Sequence, residues 1–259
     1  MSNINSVHFK FLPMSMRMLF TMVMLVFGAA YCMAMLQVWY TKVGLDGKKY
    51  LTARDLVIAY SGNTDGTKME TALKGPMSAM LDDANKKIVF DWLHKGAPKG
   101  EFDTTINPLL QEHCVMCHNP QANPNLPDYT NWAGVQKVTT ADTGMTIATL
   151  IRVSHIHLFG LTFIFFITGF IYSHSYVRPM WFKCVVIAIP FLALIVDVAS
   201  WYLTKIWHGF AWVVIISGAV YGLAFTIQWF TSMYQMWLYK LPKDLTDANG
   251  ELPCIHGNN

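Results

Sequence analysis

Four long apolar segments constrain the fold of this chain more than any other feature of its sequence. They cover approximately residues 18–40, 147–172, 181–203 and 207–237. A helix needs about 20 mainly apolar residues to cross the hydrocarbon core of a bilayer, and each segment meets that length. Only 14% of the 259 residues are charged, which agrees with lipid exposure because charged side chains are costly in hydrocarbon. The sequence therefore predicts an all-α membrane protein with four transmembrane helices.

The first apolar segment shares one feature with a secretory signal peptide, since the basic residues Lys10 and Arg17 precede it. Its apolar run is longer than the core of an ordinary signal peptide. We therefore interpret residues 1–40 as a signal anchor, that is, a transmembrane helix that also directs export of the residues after it.

A long polar stretch, residues 41–146, separates the first apolar segment from the other three. A connection of this length without structure of its own is uncommon, so we predict a small α-helical domain there. Within it, apolar spacing predicts helices over 52–60, 82–96 and 105–118, and the residues rich in Pro and Asn over 119–135 predict a loop. The rest divides into a three-helix membrane region, 147–240, and a cytoplasmic tail, 241–259.

The basic residues that flank the apolar segments predict the side of the membrane on which the polar domain lies, because cytoplasmic flanks are enriched in Lys and Arg. With four crossings, three basic flanks fall on one side, and they contain Lys10, Arg17, Arg178, Lys183, Lys240 and Lys243. Arg152 and Lys205 are exceptions on the other side. The distribution predicts cytoplasmic termini and an extracytoplasmic 41–146 domain. We expect a bacterial inner membrane, with this domain on the periplasmic or outer side.

One short motif in the polar domain indicates specific chemistry. It is Cys114-Val-Met-Cys117-His118, a C-x-x-C-H sequence of the kind that attaches c-type haem. Two thiols at this spacing can form thioethers to one porphyrin, and the adjacent histidine supplies an axial nitrogen to the iron. The alternatives are a thiol redox pair and half of a zinc site completed by His94 or His113. The sequence has no second C-x-x-C and no thioredoxin-like pattern, which favours haem attachment.

With this motif, the chain resembles the membrane-anchored mono-haem c-type cytochromes over roughly residues 70–140. Residues 106–118 look like the short helix that opens a cytochrome c domain, and the segment from Gly75 to Gly96 is similar to the methionine loop and closing helix of one. In this chain the closing half precedes the haem motif. The resemblance implies a small cytochrome c-like domain with one covalent haem c and with His118 as the proximal ligand of the iron.

The sixth ligand of the iron is a separate question, because several residues are candidates. We expect Met77, with Met80 second, since methionine ligation raises the potential of a haem relative to two histidines. Either methionine would otherwise fill a gap in a core. The other candidates are Met145, His94 and His113, and a vacant or water-filled position is a further alternative.

The outer halves of the last three apolar segments contain polar residues that a purely structural span would not need: Arg152, His155, His157, Asp197 and His208. An ionisable residue within a span is by default a functional hypothesis. Three interpretations are open. The residues form a structural cluster around Asp197; or two of the three histidines bind a b-type haem or a metal; or Asp197 and His157 handle the proton of a quinol.

These features predict that the chain transfers electrons through a covalent haem. We expect it to be a subunit of a membrane oxidoreductase or respiratory assembly more than an enzyme alone. The expected partners are other membrane-complex subunits, a redox protein on the outer face and the lipid bilayer. A net charge of +3 gives no indication of nucleic-acid binding. The alternatives are a catalytic quinol-oxidising subunit, with haem b or a quinone among the helices, and a haem-based sensor or an assembly and anchoring protein.

Overall fold

A computed structural model describes residues 8–63 and 66–240 of the chain. Regular structure in these residues is helical, apart from an isolated bridge between Thr67 and Ala141. The helices are α1 Met14–Lys42, α2 Ala53–Ser61, α3 Lys68–Lys74, α4 Asp83–His94, α5 Lys99–Glu101, α6 Asn107–His113, α7 Trp132–Gln136, α8 Ile147–Ser173, α9 Met180–Thr204 and α10 Phe210–Trp237. Helices α1, α8, α9 and α10 are long and apolar enough to cross a membrane, which confirms the predicted all-α membrane protein with four transmembrane helices. The predicted tail, 241–259, lies outside the described residues.

The chain divides into two compact units. The first combines residues 1–32, 156–196 and 216–259, and the second combines residues 33–155 and 197–215. Each contains parts of the long helices, and only the second contains α2 to α7.

In the first unit, α1 and α10 pack closely because α1 has a glycine at the contact. A Cβ atom added at Gly28 would lie 3.0 Å from Nε1 of Trp229. That indole nitrogen donates a hydrogen bond of 2.7 Å to the carbonyl oxygen of Met24. Small residues allow membrane helices to approach in this way, so any larger residue at Gly28 would displace the indole.

The other long helices of the first unit are joined at the ends near the 174–179 connection. The Lys183 ammonium donates to the carbonyl oxygens of Ser173 at 2.6 Å and Ser175 at 2.7 Å. It thereby pairs carbonyl groups that the C-terminus of α8 leaves without a helical partner. From α10, Gln235 accepts a hydrogen bond from the backbone N–H of Tyr176 and donates one to its carbonyl oxygen.

The small helices of the second unit enclose an apolar core. Its most deeply buried side chains are those of Val89, Trp92, Ile106 and Val135, all at most 1% exposed. Local signals fix the helix starts: the Asp82 side chain accepts from the backbone N–H groups of α4, and Thr52 forms a reciprocal capping box at the start of α2.

Three boundaries in this unit differ from the sequence prediction. The helix predicted over 105–118 ends at His113, so the C-x-x-C-H motif lies in the turn that follows α6. The start of this helix is also different, because a π-helical turn, Phe102–Ile106, connects α5 to α6. Pro108, near the start of α6, has no backbone N–H to donate to the regular helical pattern. The predicted loop 119–135 contains the start of α7, which Asn131 caps by accepting from Gly134.

A lysine outside the transmembrane helices joins the end of α9 to the rest of the second unit. The Lys205 ammonium donates to the carbonyl oxygens of Tyr60 at 2.6 Å, Thr143 at 3.1 Å and Met145 at 2.9 Å. Burial lowers the pKa of Lys205, and the negative charge of Asp142 partly opposes this. The sequence suggested only that Lys205 was an exception to the basic-flank pattern, whereas the structure gives it three backbone acceptors.

We expect Lys205→Met to lower the free energy of unfolding of the purified protein by about 1–3 kcal/mol, because it removes charged hydrogen bonds and leaves carbonyl groups unpaired. Thermal unfolding in detergent measures the change. Lys87→Met is the matched control, since Lys87 is exposed on α4. Equal melting temperatures for the two variants would contradict the assigned role of Lys205.

Candidate functional site

The C-x-x-C-H motif lies beside an apolar crevice of about 300 Å³ in the second unit. The side chains of Cys114, Cys117 and His118 form one part of its wall. The other parts come from α3 and the residues after it, from α4, from α6 and from the loop after the motif, and they include Leu73, Leu81, Val89, Leu110 and Leu126. The thiols and the imidazole therefore face a space that is otherwise lined almost entirely by apolar side chains.

The backbone of the motif forms a single tight turn. The carbonyl oxygen of Cys114 accepts hydrogen bonds from the N–H of Cys117 at 3.1 Å and from the N–H of His118 at 2.9 Å. Both cysteines are free thiols, Cys114 half-buried and Cys117 exposed. Burial raises the pKa of the Cys114 thiol, with a further contribution from the charge of Cys117. The turn therefore presents two reduced sulfur atoms and one imidazole to the same crevice.

The orientation of His118 is fixed by the loop that follows the motif. Its Nδ1 lies 3.1 Å from the carbonyl oxygen of Pro127, which can only accept a hydrogen bond, so Nδ1 carries the proton. The His118 ring stacks on that of Tyr129 with centroids 4.3 Å apart, and the backbone N–H of Tyr129 donates to the carbonyl oxygen of His118. With Nδ1 protonated, Nε2 keeps its lone pair and is available to a metal.

Tyr129 forms a buried support behind this histidine. Burial, with a contribution from nearby Cys114, raises the pKa of Tyr129 to about 12. Its hydroxyl is therefore neutral at physiological pH. Neither Pro127 nor Tyr129 was singled out from the sequence, because a proline carbonyl and an aromatic ring in a loop give no local signal of such a role.

Both methionines favoured as sixth ligand line the crevice, and their environments differ. Met77 is half-buried and packs against the core of the second unit. Met80 is 60% exposed. The backbone N–H of Met80 donates to the carbonyl oxygen of Met77, so the two lie in one short turn after α3. The packed position of Met77 supports its place ahead of Met80.

The remaining candidates for that ligand have different surroundings. The Nε2 atom of His94 lies 3.4 Å from a carboxylate oxygen of Glu70, and His94 does not line the crevice. Met145 also lies away from the crevice lining, and its backbone contacts Ala59 and Lys205. His113 does line the crevice, at the end of α6 directly before Cys114.

The polar residues of the membrane helices divide by burial. Asp197 is 3% exposed, so its carboxylate turns away from lipid, as its cost in hydrocarbon requires. The side chains of Arg152, His155, His157 and His208 are exposed. In the part of the chain that the structure describes, no group of three His, Cys, Asp or Glu side chains is placed to hold a metal ion. Pairing of Asp197 with one of the four exposed residues stays a prediction.

The comparisons with known proteins bear on the membrane region. Residues 134–243 match a family model described as a transmembrane helical domain. The match covers α8, α9 and α10 and leaves out the C-x-x-C-H motif. Neither the curated proteins nor the solved structures compared with this chain include a match. The family model therefore supports a membrane protein and carries no indication of its activity.

Proposed function

We propose that this chain is a membrane-anchored electron-transfer protein with one covalent haem c in the crevice beside the C-x-x-C-H turn. A single observation carries the proposal: both thiols and the imidazole of the motif face one apolar crevice that two methionines also line. The cytochrome c-like character of the helical domain is part of the same proposal. When bound, the haem would supply one-electron redox chemistry.

The residues present fit this prosthetic group. Attachment needs two reduced thiols at one edge of the porphyrin and an imidazole beneath the iron, and the turn supplies all three. The crevice, of about 300 Å³, is at the lower end of the usual range for ligand sites, and its walls are apolar. A purely structural core would have no need of paired thiols beside a histidine whose Nε2 is available.

The side chains of this site have separate roles in the proposal. Cys114 and Cys117 would hold the group covalently, and His118 would be its proximal ligand. Pro127 positions the imidazole through the hydrogen bond from Nδ1. Met77 is the proposed distal ligand. The apolar walls exclude water, which favours the less charged state of the iron and so raises the potential.

The mouth of the crevice indicates how a redox partner on the outer face would dock. Met80 and Leu126 line the crevice and are 60% and 39% exposed, and Met116 within the motif is 83% exposed. Residues 107–131 contain no Lys or Arg and only two acidic residues, Glu112 and Asp128. The part of the proposed docking face that residues 107–131 contribute is therefore nearly uncharged, and we propose that its charge contributes little to association.

We expect oxidation of the haem by small reagents to depend weakly on ionic strength. The rate constants for anionic ferricyanide and for cationic tris(phenanthroline)cobalt(III) should each change by less than about threefold between low and high salt, because strong steering needs a charged surface. Stopped-flow absorbance measures both. A steep decrease for one reagent together with an increase for the other would show a charged docking face instead.

We also propose that the crevice is extracytoplasmic, in a bacterial inner membrane with the domain on the periplasmic side. On intact cells, an impermeant thiol reagent should label Lys87→Cys on α4 and not Met180→Cys at the start of α9, in a background with Ser at Cys32, Cys184 and Cys254. Both test positions are exposed in their own units. The reverse labelling pattern would contradict the orientation.

The buried carboxyl group of Asp197 keeps a second function open, a quinol-oxidising subunit of a larger membrane assembly. An ionisable residue within a membrane span is energetically costly, and its presence there is by default a functional hypothesis. Asp197→Asn, in membranes supplied with a quinol analogue, distinguishes the two. Slower quinol-dependent reduction with unchanged thermal stability supports the catalytic function, whereas lower stability with unchanged reduction assigns Asp197 to structure.

A further inference from the structure

A second cavity in the second unit lies outside the proposed haem site. It is a polar cleft of about 460 Å³ between the turn after α1 and the helices α2 and α3. Its charged lining residues are Asp46, Lys48, Arg54, Glu70 and Lys74. We call it the basic cleft, because its three cationic side chains outnumber its two carboxylates. Nothing in the proposed electron transfer uses these residues.

Both carboxylates of the basic cleft have partners within the protein. Asp46 accepts hydrogen bonds from the backbone N–H of Lys48 and from the hydroxyl of Thr52, each at 2.9 Å. Glu70 accepts from the Lys74 ammonium at 2.6 Å. Burial of Glu70 opposes its ionisation, but the hydrogen bond and charge of Lys74 outweigh this and keep its pKa below the usual range. Both carboxylates thus already accept hydrogen bonds from neighbouring groups, and the charge of Lys74 offsets that of Glu70.

Arg54 supplies the surplus positive charge. Within the described residues, its hydrogen bond is to the side-chain oxygen of Asn63, at 3.5 Å, and it has no carboxylate partner. A guanidinium group has five N–H donors in a planar fork that matches an oxyanion. Lys48 is also weakly paired, since its ammonium lies 3.8 Å from Asp46. Within the described residues, the cleft therefore offers to an anion the donors of Arg54 and of the weakly paired Lys48.

The wall of the cleft is rigid, because a buried carboxylate holds the turn after α1. Asp55 is 0% exposed and accepts from the backbone N–H of Asp46 at 2.9 Å and from that of Thr52 at 2.8 Å. Gly44 and Gly47 take positive φ angles of 90° and 85° in the same turn. The backbone that carries Lys48 and Arg54 is therefore fixed before any ligand arrives, which lowers the cost of binding.

The position of the cleft along the chain points to the source of the anion. Helix α1 ends at Lys42, and the lining of the cleft begins at Leu45. Exposed Trp39 and Tyr40, at the end of α1, are of the kind that anchors a helix at the membrane–water interface. The cleft thus follows directly on the point where the chain leaves the bilayer, the level at which lipid phosphates lie.

We propose that the basic cleft binds the phosphate of an anionic phospholipid headgroup. Arg54 takes two phosphate oxygens in the bidentate arrangement that guanidinium and phosphate favour, and Lys48 adds charge. Basic residues are uncommon on the extracytoplasmic flank of a transmembrane helix, and binding of an anionic lipid would explain their presence after α1. The inference is independent of the haem.

Native mass spectrometry of the full-length protein in detergent tests the proposal. Phosphatidylglycerol should remain bound in preference to phosphatidylcholine. Arg54→Gln should reduce its affinity about tenfold or more, since a charged hydrogen bond is lost, and Arg54→Lys should retain an intermediate affinity. Arg54 is exposed, so these variants should fold. Lys87→Gln, which changes an exposed lysine of α4, is the matched control and should bind as the unaltered protein does.

Three results would overturn the proposal. Equal retention of the two lipids would exclude recognition of an anionic headgroup. Equal affinity of Arg54→Gln and the unaltered protein would place the lipid elsewhere. Binding of inorganic phosphate that Arg54→Gln abolishes, without retention of phosphatidylglycerol, would assign the cleft to a free oxyanion instead of a lipid.

Discussion

Replacing both Cys114 and Cys117 with serine should abolish covalent haem on the chain. The two residues are the thiols that line the apolar crevice, and a thioether to the porphyrin requires sulfur. Serine preserves the approximate size of the side chain, so the turn itself should persist. The signal for haem peroxidase activity on a denaturing gel should fall to background, while an antibody to the chain still detects the protein.

The other cysteines provide the matched control for this experiment. Cys32 and Cys184 are exposed on α1 and α9, and neither lines the crevice. Serine at either position should leave the gel signal unchanged. Full staining of the Cys114/Cys117 double variant would show that the motif does not attach haem, and the proposed function would fail with it.

Replacing Met77 with leucine should remove the iron–thioether bond and lower the haem potential. Axial ligands set haem potentials over a range of about 0.8 V, so the expected decrease is on the order of 0.1 V. Leucine preserves most of the side-chain volume, which keeps the packing of Met77 on the core largely intact. Potentiometric titration measures the potential, and loss of the far-red absorption of a methionine-ligated ferric haem reports the bond.

Met80→Leu is the paired comparison, because Met80 lines the same crevice and is 60% exposed. It should change neither the potential nor the absorption band. If Met80→Leu removes the band and Met77→Leu does not, Met80 is the ligand. If neither variant changes the band or the potential, neither Met77 nor Met80 is the sixth ligand.

The membrane helices were predictable because length and hydropathy alone determine which segments can cross a bilayer. Each predicted segment overlaps one of α1, α8, α9 and α10, and the differences are a few residues at the ends. Of the helices between α1 and α8, those near 52–60 and 82–96 were also predicted from apolar spacing. The cysteines and histidine of the motif were identified from the pattern C-x-x-C-H, which specifies chemistry and needs no tertiary information.

Other features depend on contacts between residues that are distant in sequence. The hydrogen bond from His118 to the carbonyl oxygen of Pro127 depends on how the loop folds back. The three acceptors of Lys205 lie on segments about 60 and 145 positions away in the chain. A local sequence pattern does not predict which backbone carbonyl groups the fold will bring within hydrogen-bonding distance of a side chain. The π-helical turn before α6 was missed for a related reason, since apolar spacing assumes a constant helical period.

A pyridine haemochrome spectrum of the purified full-length protein tests the central proposal most directly, because its absorption bands distinguish haem c from haem b and its intensity gives the number of haems per chain. The spectrum should show one haem c per chain that acidified acetone does not extract. A protein without haem, or one with only an extractable b-type spectrum, would contradict a covalent haem at Cys114, Cys117 and His118.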